Sequence, residues 1–234
     1  MALRKLAAEA LGTAWLLAIV VGSGIMGQAL SGGNTALALM ANAVATGAGL
    51  IVLITLLGPL SGAHFNPLVT LTFMIRRDIR PALAAAYMVA QFAGAVIGVG
   101  IAHGMFGEAL IQSATRLRDG SGVMLSEGVA TFGLLGTIFG CLRFKPDFTP
   151  TAVGLYITSA YWFTSSTAFA NPAVTVARCL TDSFAGITLA SVPGFIAAQS
   201  AGAAMAFLVF GWLLKSPPAQ ISPENKTTPQ RMAS

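Results

Sequence analysis

Charged residues are scarce in this chain of 234 residues, where only 9% are Asp, Glu, Lys or Arg. A soluble domain carries about 25% of such residues. Hydrophobic residues make up 55% of the chain, and its mean hydropathy is +0.76. This composition excludes an ordinary soluble domain and indicates an integral membrane protein.

Histidine and cysteine are equally scarce, with two residues of each. Neither His64 nor His103 has a Ser, Cys or Asp beside it at the spacing of a nucleophile or a metal ligand. Cys141 and Cys179 lie far apart, so they predict neither a disulfide nor a metal site. We therefore expect no enzymatic activity, no metal and no cofactor.

Six apolar stretches have roughly the 20 residues that a membrane-spanning helix needs. They cover residues 6–30, 36–58, 82–106, 122–142, 149–166 and 188–214. Two further apolar pieces, 66–75 and 171–181, are too short to cross a bilayer. The sequence thus predicts six spans and two shorter helices that enter the membrane without crossing it.

Both shorter pieces begin with Asn-Pro, at Asn66-Pro67 and at Asn171-Pro172. Asn is a favoured helix N-cap, and Pro is favoured at the first helical position. A helix that starts inside the membrane leaves N–H groups unpaired, which is tolerated where it lines a water-filled path. The two starts predict a pore site near the middle of the bilayer.

The chain contains two copies of one pattern, because Glu, Asn-Pro and Gln recur in the same order in each half. The matched residues are Glu9 with Glu127, Thr13 with Thr131, Asn66 with Asn171, and Gln91 with Gln199. Three spans per half is an odd number, so the second copy must be inverted in the membrane. We predict a first repeat at 1–115, a second at 116–215 and a disordered cytoplasmic tail at 216–234.

Basic residues are distributed unevenly between the loops. With both termini in the cytoplasm, ten Lys or Arg residues lie inside, and Arg116, Arg118 and Arg178 lie outside. The positive-inside rule favours this orientation. The net charge of +5 is therefore explained by topology, and no nucleic-acid partner is expected.

Residues Ser61-Gly62-Ala63-His64-Phe65-Asn66-Pro67 resemble the first signature of the aquaporin (major intrinsic protein) family, and Asn171-Pro172-Ala173 resembles the second. The resemblance covers nearly the whole chain. It implies an all-α membrane protein with six transmembrane helices and two re-entrant half-helices in an inverted repeat. It further implies a passive channel for water and small neutral solutes, assembled as a homotetramer in a bacterial inner membrane. Leu68 departs from the family pattern, which has Ala after the first Asn-Pro, and a branched side chain there is expected to affect the pore diameter.

The resemblance also assigns roles to residues near the Asn-Pro motifs. Glu9 and Glu127 match family residues that accept hydrogen bonds from the re-entrant loops, and His64 is expected to line the pore or anchor a loop. The NH₂ groups of Asn66 and Asn171 are expected to donate into the pore.

Most family members have Arg directly after the second Asn-Pro-Ala, where this chain has Val174. The other filter positions follow by offset as Thr46, Ala168 and Ser159, with Tyr161 as the alternative to Ser159. These side chains predict a wide, uncharged filter. Arg178 either faces the vestibule, one turn beyond Val174, or pairs with Asp182 at the i+4 position.

The run from Phe169 to Arg178, continued by Leu180-Thr181-Asp182, resembles a bacterial subgroup associated with arsenic resistance. This resemblance implies glycerol-like polyols, arsenous acid or methylated arsenicals as solutes. The alternative from another class is an inverted-repeat secondary transporter, in which Glu9 or Glu127 would couple transport to an ion.

Overall fold

The structure is a computed structural model that describes residues 2–215, and all the regular elements within this range are helical. The α-helices are α1 (Ala2–Leu30), α2 (Thr35–Ser61), α3 (Pro67–Ile75), α4 (Pro81–Phe106), α5 (Ser121–Phe144), α6 (Thr149–Phe163), α7 (Pro172–Ala177) and α8 (Val192–Leu213). Short 3₁₀ turns precede α6 at Pro146–Phe148, follow α7 at Arg178–Leu180 and precede α8 at Leu189–Ser191. The predicted tail at 216–234 lies outside the described residues.

Five long helices, α1, α2, α4, α5 and α8 (with its leading 3₁₀ turn), are long and apolar enough to cross a membrane. The sixth predicted span, 149–166, is shorter than expected, because α6 ends at Phe163 after 15 residues. The Thr164 N–H and hydroxyl both bond to the Ala160 carbonyl, and the chain then turns into a re-entrant loop. The predicted all-α fold with two re-entrant half-helices, α3 and α7, is confirmed.

Each half of the molecule packs its helices in the same way. Helix α1 contacts α2 and α4, while α5 contacts α6 and α8, and the two halves meet where α2 lies against α6. Glycines allow the closest approaches. A Cβ at Gly94 would overlap the Ala10 carbonyl oxygen, and a Cβ at Gly202 would overlap the Gly128 carbonyl oxygen. Small residues at such contacts are typical of helix pairs in lipid.

The outer surfaces of the long helices are apolar. Large hydrophobic side chains such as Leu56, Val89, Leu125 and Leu208 are more than half exposed. In the same helices the polar side chains of Glu9, Gln91, Glu127 and Gln199 are fully buried. Apolar residues outside and hydrogen-bonded polar residues inside are the arrangement of a multi-pass membrane protein.

Candidate pore

A glutamate in the first helix of each half holds the adjacent re-entrant loop. The Glu9 carboxylate accepts hydrogen bonds from Ser61 Oγ (2.6 Å), His64 N (3.0 Å), Phe65 N (2.8 Å) and Gln91 Nε2 (2.8 Å). A loop buried at membrane depth has no water to satisfy its N–H groups, and the carboxylate supplies the missing acceptors.

The second half repeats this network. The Glu127 carboxylate accepts from Phe169 N (2.9 Å), Ala170 N (2.9 Å) and Gln199 Nε2 (2.6 Å). Each Gln also donates to a threonine of its half-helix, Gln91 to Thr70 and Gln199 to Thr175, both at 2.9 Å. The two networks therefore match in the two loop N–H groups, the glutamine and the threonine, and the first has one additional bond, from Ser61 Oγ.

The loops adopt strained backbone conformations that these networks maintain. Ala63 and Phe65 in the first loop have φ of 48° and 47°, and Ala168 and Ala170 in the second have the same values. A non-glycine residue in the left-handed region costs on the order of 1–3 kcal/mol. The carboxylate hydrogen bonds offset this strain and fix where each half-helix begins.

Asn66 and Asn171 cap the two half-helices as predicted from their sequence positions. Asn66 Oδ1 accepts from Leu68 N at 2.9 Å, and Asn171 Oδ1 accepts from Ala173 N at 3.0 Å. Pro67 and Pro172 occupy the first helical positions, where their missing N–H is harmless.

Each Asn also reaches into the other half. Asn66 Nδ2 donates to Ala170 O at 2.7 Å, and Asn171 Nδ2 donates to Phe65 O at 2.8 Å. Each NH₂ group was expected to be free to donate into the pore. One hydrogen of each group instead bonds to the other half, so the expectation was wrong for that hydrogen. An amide nitrogen has two hydrogens, so each Asn retains one, and both residues line the same cavity.

This cavity passes the N-termini of both half-helices and offers about 70 Å³ to the centres of water-sized molecules. Most of its wall is apolar. The aliphatic lining residues are Leu16, Val20, Leu50, Ile54, Ala63, Val69, Leu134, Val153, Ile157, Ala168 and Val174. The polar lining residues are Thr46, His64, Asn66, Tyr161, Asn171 and Arg178. A narrow apolar path with few polar groups presents limited hydrogen-bonding sites to a passing molecule.

Three of the four predicted filter residues line the cavity, namely Thr46, Ala168 and Val174. Ser159 does not: it is exposed, and its hydroxyl donates to Tyr156 O at 2.7 Å. Tyr161 lines the cavity instead, with its hydroxyl 3.3 Å from Thr46 Oγ1. The reason is helical periodicity, because residues 153, 157 and 161 share one face of α6 and residue 159 points away from it.

Arg178 also lines the cavity, which agrees with the alternative that it faces the vestibule beyond Val174. Arg178 is 2% exposed, its Nε donates to Ala185 O, and its guanidinium carbon lies 3.5 Å from the Phe169 ring centroid. The predicted alternative pairing with Asp182 is absent. Asp182 accepts from Thr115 N and Oγ1, and these hydrogen bonds hold the pKa of its carboxyl below the usual value.

Leu68 does not reach the cavity, contrary to expectation. It belongs to a buried cluster that includes Leu135, Phe139, Ala203 and Ala206, and the next residue, Val69, provides the lining. The extra volume of Leu68 relative to Ala therefore lies in this cluster and not in the cavity wall.

His64 lies between the cavity and a larger pocket with Lys5, Asp78 and Arg80 in its wall. Its Nδ1 is 3.0 Å from Thr70 Oγ1, and its ring lies 4.8 Å from the Phe73 ring. We name this the His64 end of the cavity and the opposite one the Arg178 end. Helix α1 joins them, since Lys5 lines the pocket at the His64 end and Gln28 accepts from Phe184 N at the other.

Two residues at the Arg178 end were not identified from the sequence. Phe169 is the ring beneath Arg178, and it occupies the loop position equivalent to His64, as an alignment of the two loops would have revealed. Arg118 donates to Gly186 O, Ser166 O and Phe184 O, and so connects the linker before α5 to the second loop. No local pattern marks Arg118.

Comparison with known proteins agrees with this geometry. The family model described as "Major intrinsic protein" matches residues 1–164. The chain is 52% identical to aquaglyceroporin AqpS of Rhizobium meliloti over 91% of each protein. It is 32% identical to aquaporin-5 of Sus scrofa over 50% of this chain and 47% of the relative.

A solved structure shows the same fold. The aquaglyceroporin from Plasmodium falciparum superposes with a TM-score of 0.72 at 20% identity, covering 92% of this chain and 99% of that one. Together with the paired half-helices and the cavity that both of them line, these matches show that the chain belongs to the major intrinsic protein family, whose members are membrane channels for water and small solutes.

Proposed function

We propose that this channel conducts neutral solutes of glycerol size, including polyols, arsenous acid and methylated arsenicals. The relative AqpS is named an aquaglyceroporin. Thr46, Ala168 and Val174 contribute small or medium side chains to the wall, which leaves space beside Tyr161 and Arg178. Arsenous acid and glycerol each carry three hydroxyl groups, so the same hydrogen-bond donors in the pore can bind both solutes.

The observation that carries the proposal is the crossed pair of hydrogen bonds made by Asn66 and Asn171. These bonds fix the two amides at the junction of the half-helices and leave one N–H of each for a solute oxygen. Each helix N-terminus adds about half a positive charge. A neutral hydroxylated molecule is accepted there, whereas a cation is repelled.

The residues have distinct roles in this proposal. Asn66 and Asn171, positioned by Pro67, Leu68, Pro172 and Ala173, bind the solute at mid-membrane. Thr46, Ala168, Val174 and Tyr161 shape the filter, with Arg178 beyond them. Glu9, Glu127 and His64 hold the loops.

The hydrogen-bonding of the glutamates favours a channel over an ion-coupled transporter. Glu9 and Glu127 receive four and three hydrogen bonds from fixed groups of the protein. A carboxylate that must bind and release an ion in each transport cycle needs exchangeable partners. These carboxylates have structural partners instead.

We further propose that the chain assembles as a homotetramer in a bacterial inner membrane. Each subunit would contain two inverted repeats, at 1–115 and 116–215. The equivalent Glu9 and Glu127 networks support the repeat. Both termini are then cytoplasmic, because this orientation places ten of thirteen basic residues inside. The Arg178 end of the cavity faces outward in this arrangement.

Stopped-flow light scattering of proteoliposomes tests the proposal. Wild-type protein should raise glycerol permeability above that of protein-free vesicles without any ion gradient, and arsenous acid should enter the same vesicles. Flux that requires a proton or sodium gradient would support the transporter. Water permeability without glycerol flux would contradict the proposed solute class.

A further inference from the structure

His103 is a fully buried histidine to which the channel function described above gives no role. It lies in the last turn of α4. Its Nδ1 is 3.0 Å from Leu110 O, and its Nε2 is 2.9 Å from Thr181 Oγ1. Leu110 belongs to the linker between α4 and α5, and Thr181 follows the 3₁₀ turn that contains Arg178. One imidazole, with partners for both nitrogens, therefore joins α4 to two segments at the Arg178 end of the cavity.

The contact with Thr181 begins a chain of hydrogen bonds that leads to Arg178. Thr181 Oγ1 donates to Ser183 Oγ at 2.9 Å, and Ser183 Oγ accepts from Ala185 N at 3.3 Å. The carbonyl of the same residue, Ala185, accepts from Arg178 Nε. We name the chain from His103 through Thr181 and Ser183 to Ala185 the His103 relay. It connects a side chain of α4 to the backbone residue that holds the guanidinium.

The backbone of Ala185 decides the direction of the Arg178 guanidinium. Within residues 2–215, the bond to Ala185 O is the only hydrogen bond of the Arg178 side chain, and its other support is the Phe169 ring. A ring face holds a cation above its plane, but it does not select one direction within that plane. The directional bond to Ala185 O does so. A group that fixes the Ala185 backbone therefore also fixes Arg178 in the cavity wall.

The two segments that His103 contacts are also joined without it. Gln112 N donates to Leu180 O, and Ala114 N donates to Cys179 O, both at 3.0 Å. These backbone bonds hold the linker against the segment after α7. Loss of the His103 relay is therefore expected to leave the fold in place and to loosen only the support of Arg178.

The equivalent positions at the His64 end carry different residues. In the inverted repeat, His103 of α4 corresponds to Gly211 of α8, and Thr181 corresponds to Arg76. Gly211 has no side chain, and Arg76 forms an ion pair with Asp78 at the surface. The residues that hold the common scaffold recur in both halves, whereas the relay is confined to the end of the cavity that contains the buried arginine.

Building on the channel function proposed above, we propose that His103 is a positioning residue for solute passage, which fixes the direction of the Arg178 guanidinium through the His103 relay. Without the relay, the guanidinium loses its fixed direction and enters the space beside Tyr161, which lines the same cavity. A solute of glycerol size needs this space, and a water molecule needs less of it.

Thr181→Val tests the relay, because valine has the shape of threonine but no hydroxyl group. In stopped-flow measurements on proteoliposomes, it should lower the glycerol-to-water permeability ratio by about fivefold, the equivalent of roughly one hydrogen bond. Thr181→Ser keeps the hydroxyl and should retain the wild-type ratio. Thr131→Val is the matched control: Thr131 is also buried, but its hydroxyl donates to the Glu127 carbonyl of its own helix. It should behave as wild type.

A double-mutant cycle with Arg178→Gln separates positioning from a purely structural role. If the relay acts through Arg178, adding Thr181→Val to Arg178→Gln should not change the permeability ratio further. Two substitutions of His103 test the other end of the relay. His103→Gln places an amide near the position of Nε2, so it should keep the contact with Thr181 and the wild-type ratio. His103→Leu has no polar group and should lower the ratio as Thr181→Val does.

A folded Thr181→Val whose ratio does not fall would overturn the inference, as would an equal fall with and without Arg178→Gln. If Thr181→Val fails to fold, a wild-type ratio in His103→Leu overturns it.

Wild-type protein that passes water but no glycerol would instead contradict the proposed solute class. The same cycle is then measured by thermal unfolding in detergent. The relay predicts that the double variant loses less in unfolding temperature than the two single variants together. Additive losses would overturn the role of His103.

Discussion

Arg178 lies over the ring of Phe169, with its guanidinium carbon 3.5 Å from the ring centroid. The equivalent pair in the first half is Phe73 with His64, at 4.8 Å between ring centroids. Both pairs join the residue two before the capping Asn to the residue seven after it. The inverted repeat thus keeps the stacking at both ends of the cavity but places a permanent cation at one and an imidazole at the other.

We expect Glu127→Gln to destabilise the protein by about 1–3 kcal/mol, because a neutral amide cannot accept all the hydrogen bonds now made by the carboxylate. Thermal unfolding in detergent measures the loss, and water permeability should fall with it. Glu108→Gln serves as the control, since Glu108 is exposed and, within residues 2–215, accepts a hydrogen bond only from Gln112. Equal stability of the two variants would contradict the scaffold role.

Tyr161→Ala should raise the permeability to glycerol relative to water, because it removes a ring from the cavity wall. Ser159→Ala should change neither the glycerol nor the water permeability, since Ser159 lies on the exposed face of α6. Stopped-flow measurements on both variants distinguish the two filter assignments. An effect of Ser159→Ala with none of Tyr161→Ala would show that α6 is rotated and turns Ser159 toward the cavity.

Arg118→Ala should lower the unfolding temperature more than Arg116→Ala does. Arg118 is 9% exposed, and its removal leaves two buried acceptors, Gly186 O and Ser166 O, without this donor. Arg116 donates to one carbonyl at the surface. Thermal melts of the two purified variants make the comparison. An equal shift of the unfolding temperature would contradict the role of Arg118 in connecting the linker before α5 to the second loop.

The proposed orientation predicts which cysteines an impermeant thiol reagent can reach in intact cells. In a background of Cys141→Ser and Cys179→Ser, Asp119→Cys should be labelled from outside, because it lies in the exposed linker before α5. Ser234→Cys should be labelled only after the cells are opened. The reverse pattern would place the Arg178 end of the cavity inward.

The features predicted correctly from the sequence depend on local chemistry. Asn66 and Asn171 cap helices through hydrogen bonds to residues two or three positions away, and this pattern is visible in a short stretch of sequence. The repeat was found because Glu127 and Gln199 recur in the order of Glu9 and Gln91. These residues were sufficient to predict the half-helices and the fold.

The errors concern contacts between distant segments. One face of α6 meets lipid and another meets the pore, and both are largely apolar, so hydropathy could not show that Tyr161 rather than Ser159 faces inward. The i+4 spacing of Asp182 left open a pair with Arg178, but the chain leaves the helix after Leu180 and Asp182 bonds to Thr115. The stacking of Arg178 on Phe169 depends on tertiary structure, which no local pattern encodes.

The most direct test of the account is glycerol permeation by proteoliposomes that contain Asn171→Ala, with Asn34→Ala as control. Asn34 also caps a helix, α2, but is exposed and lies outside the cavity. Both variants lose a cap worth about 0.5–2 kcal/mol. Glycerol flux should fall sharply only in folded Asn171→Ala, because solute passes between Asn66 and Asn171. Wild-type flux in folded Asn171→Ala would contradict this path.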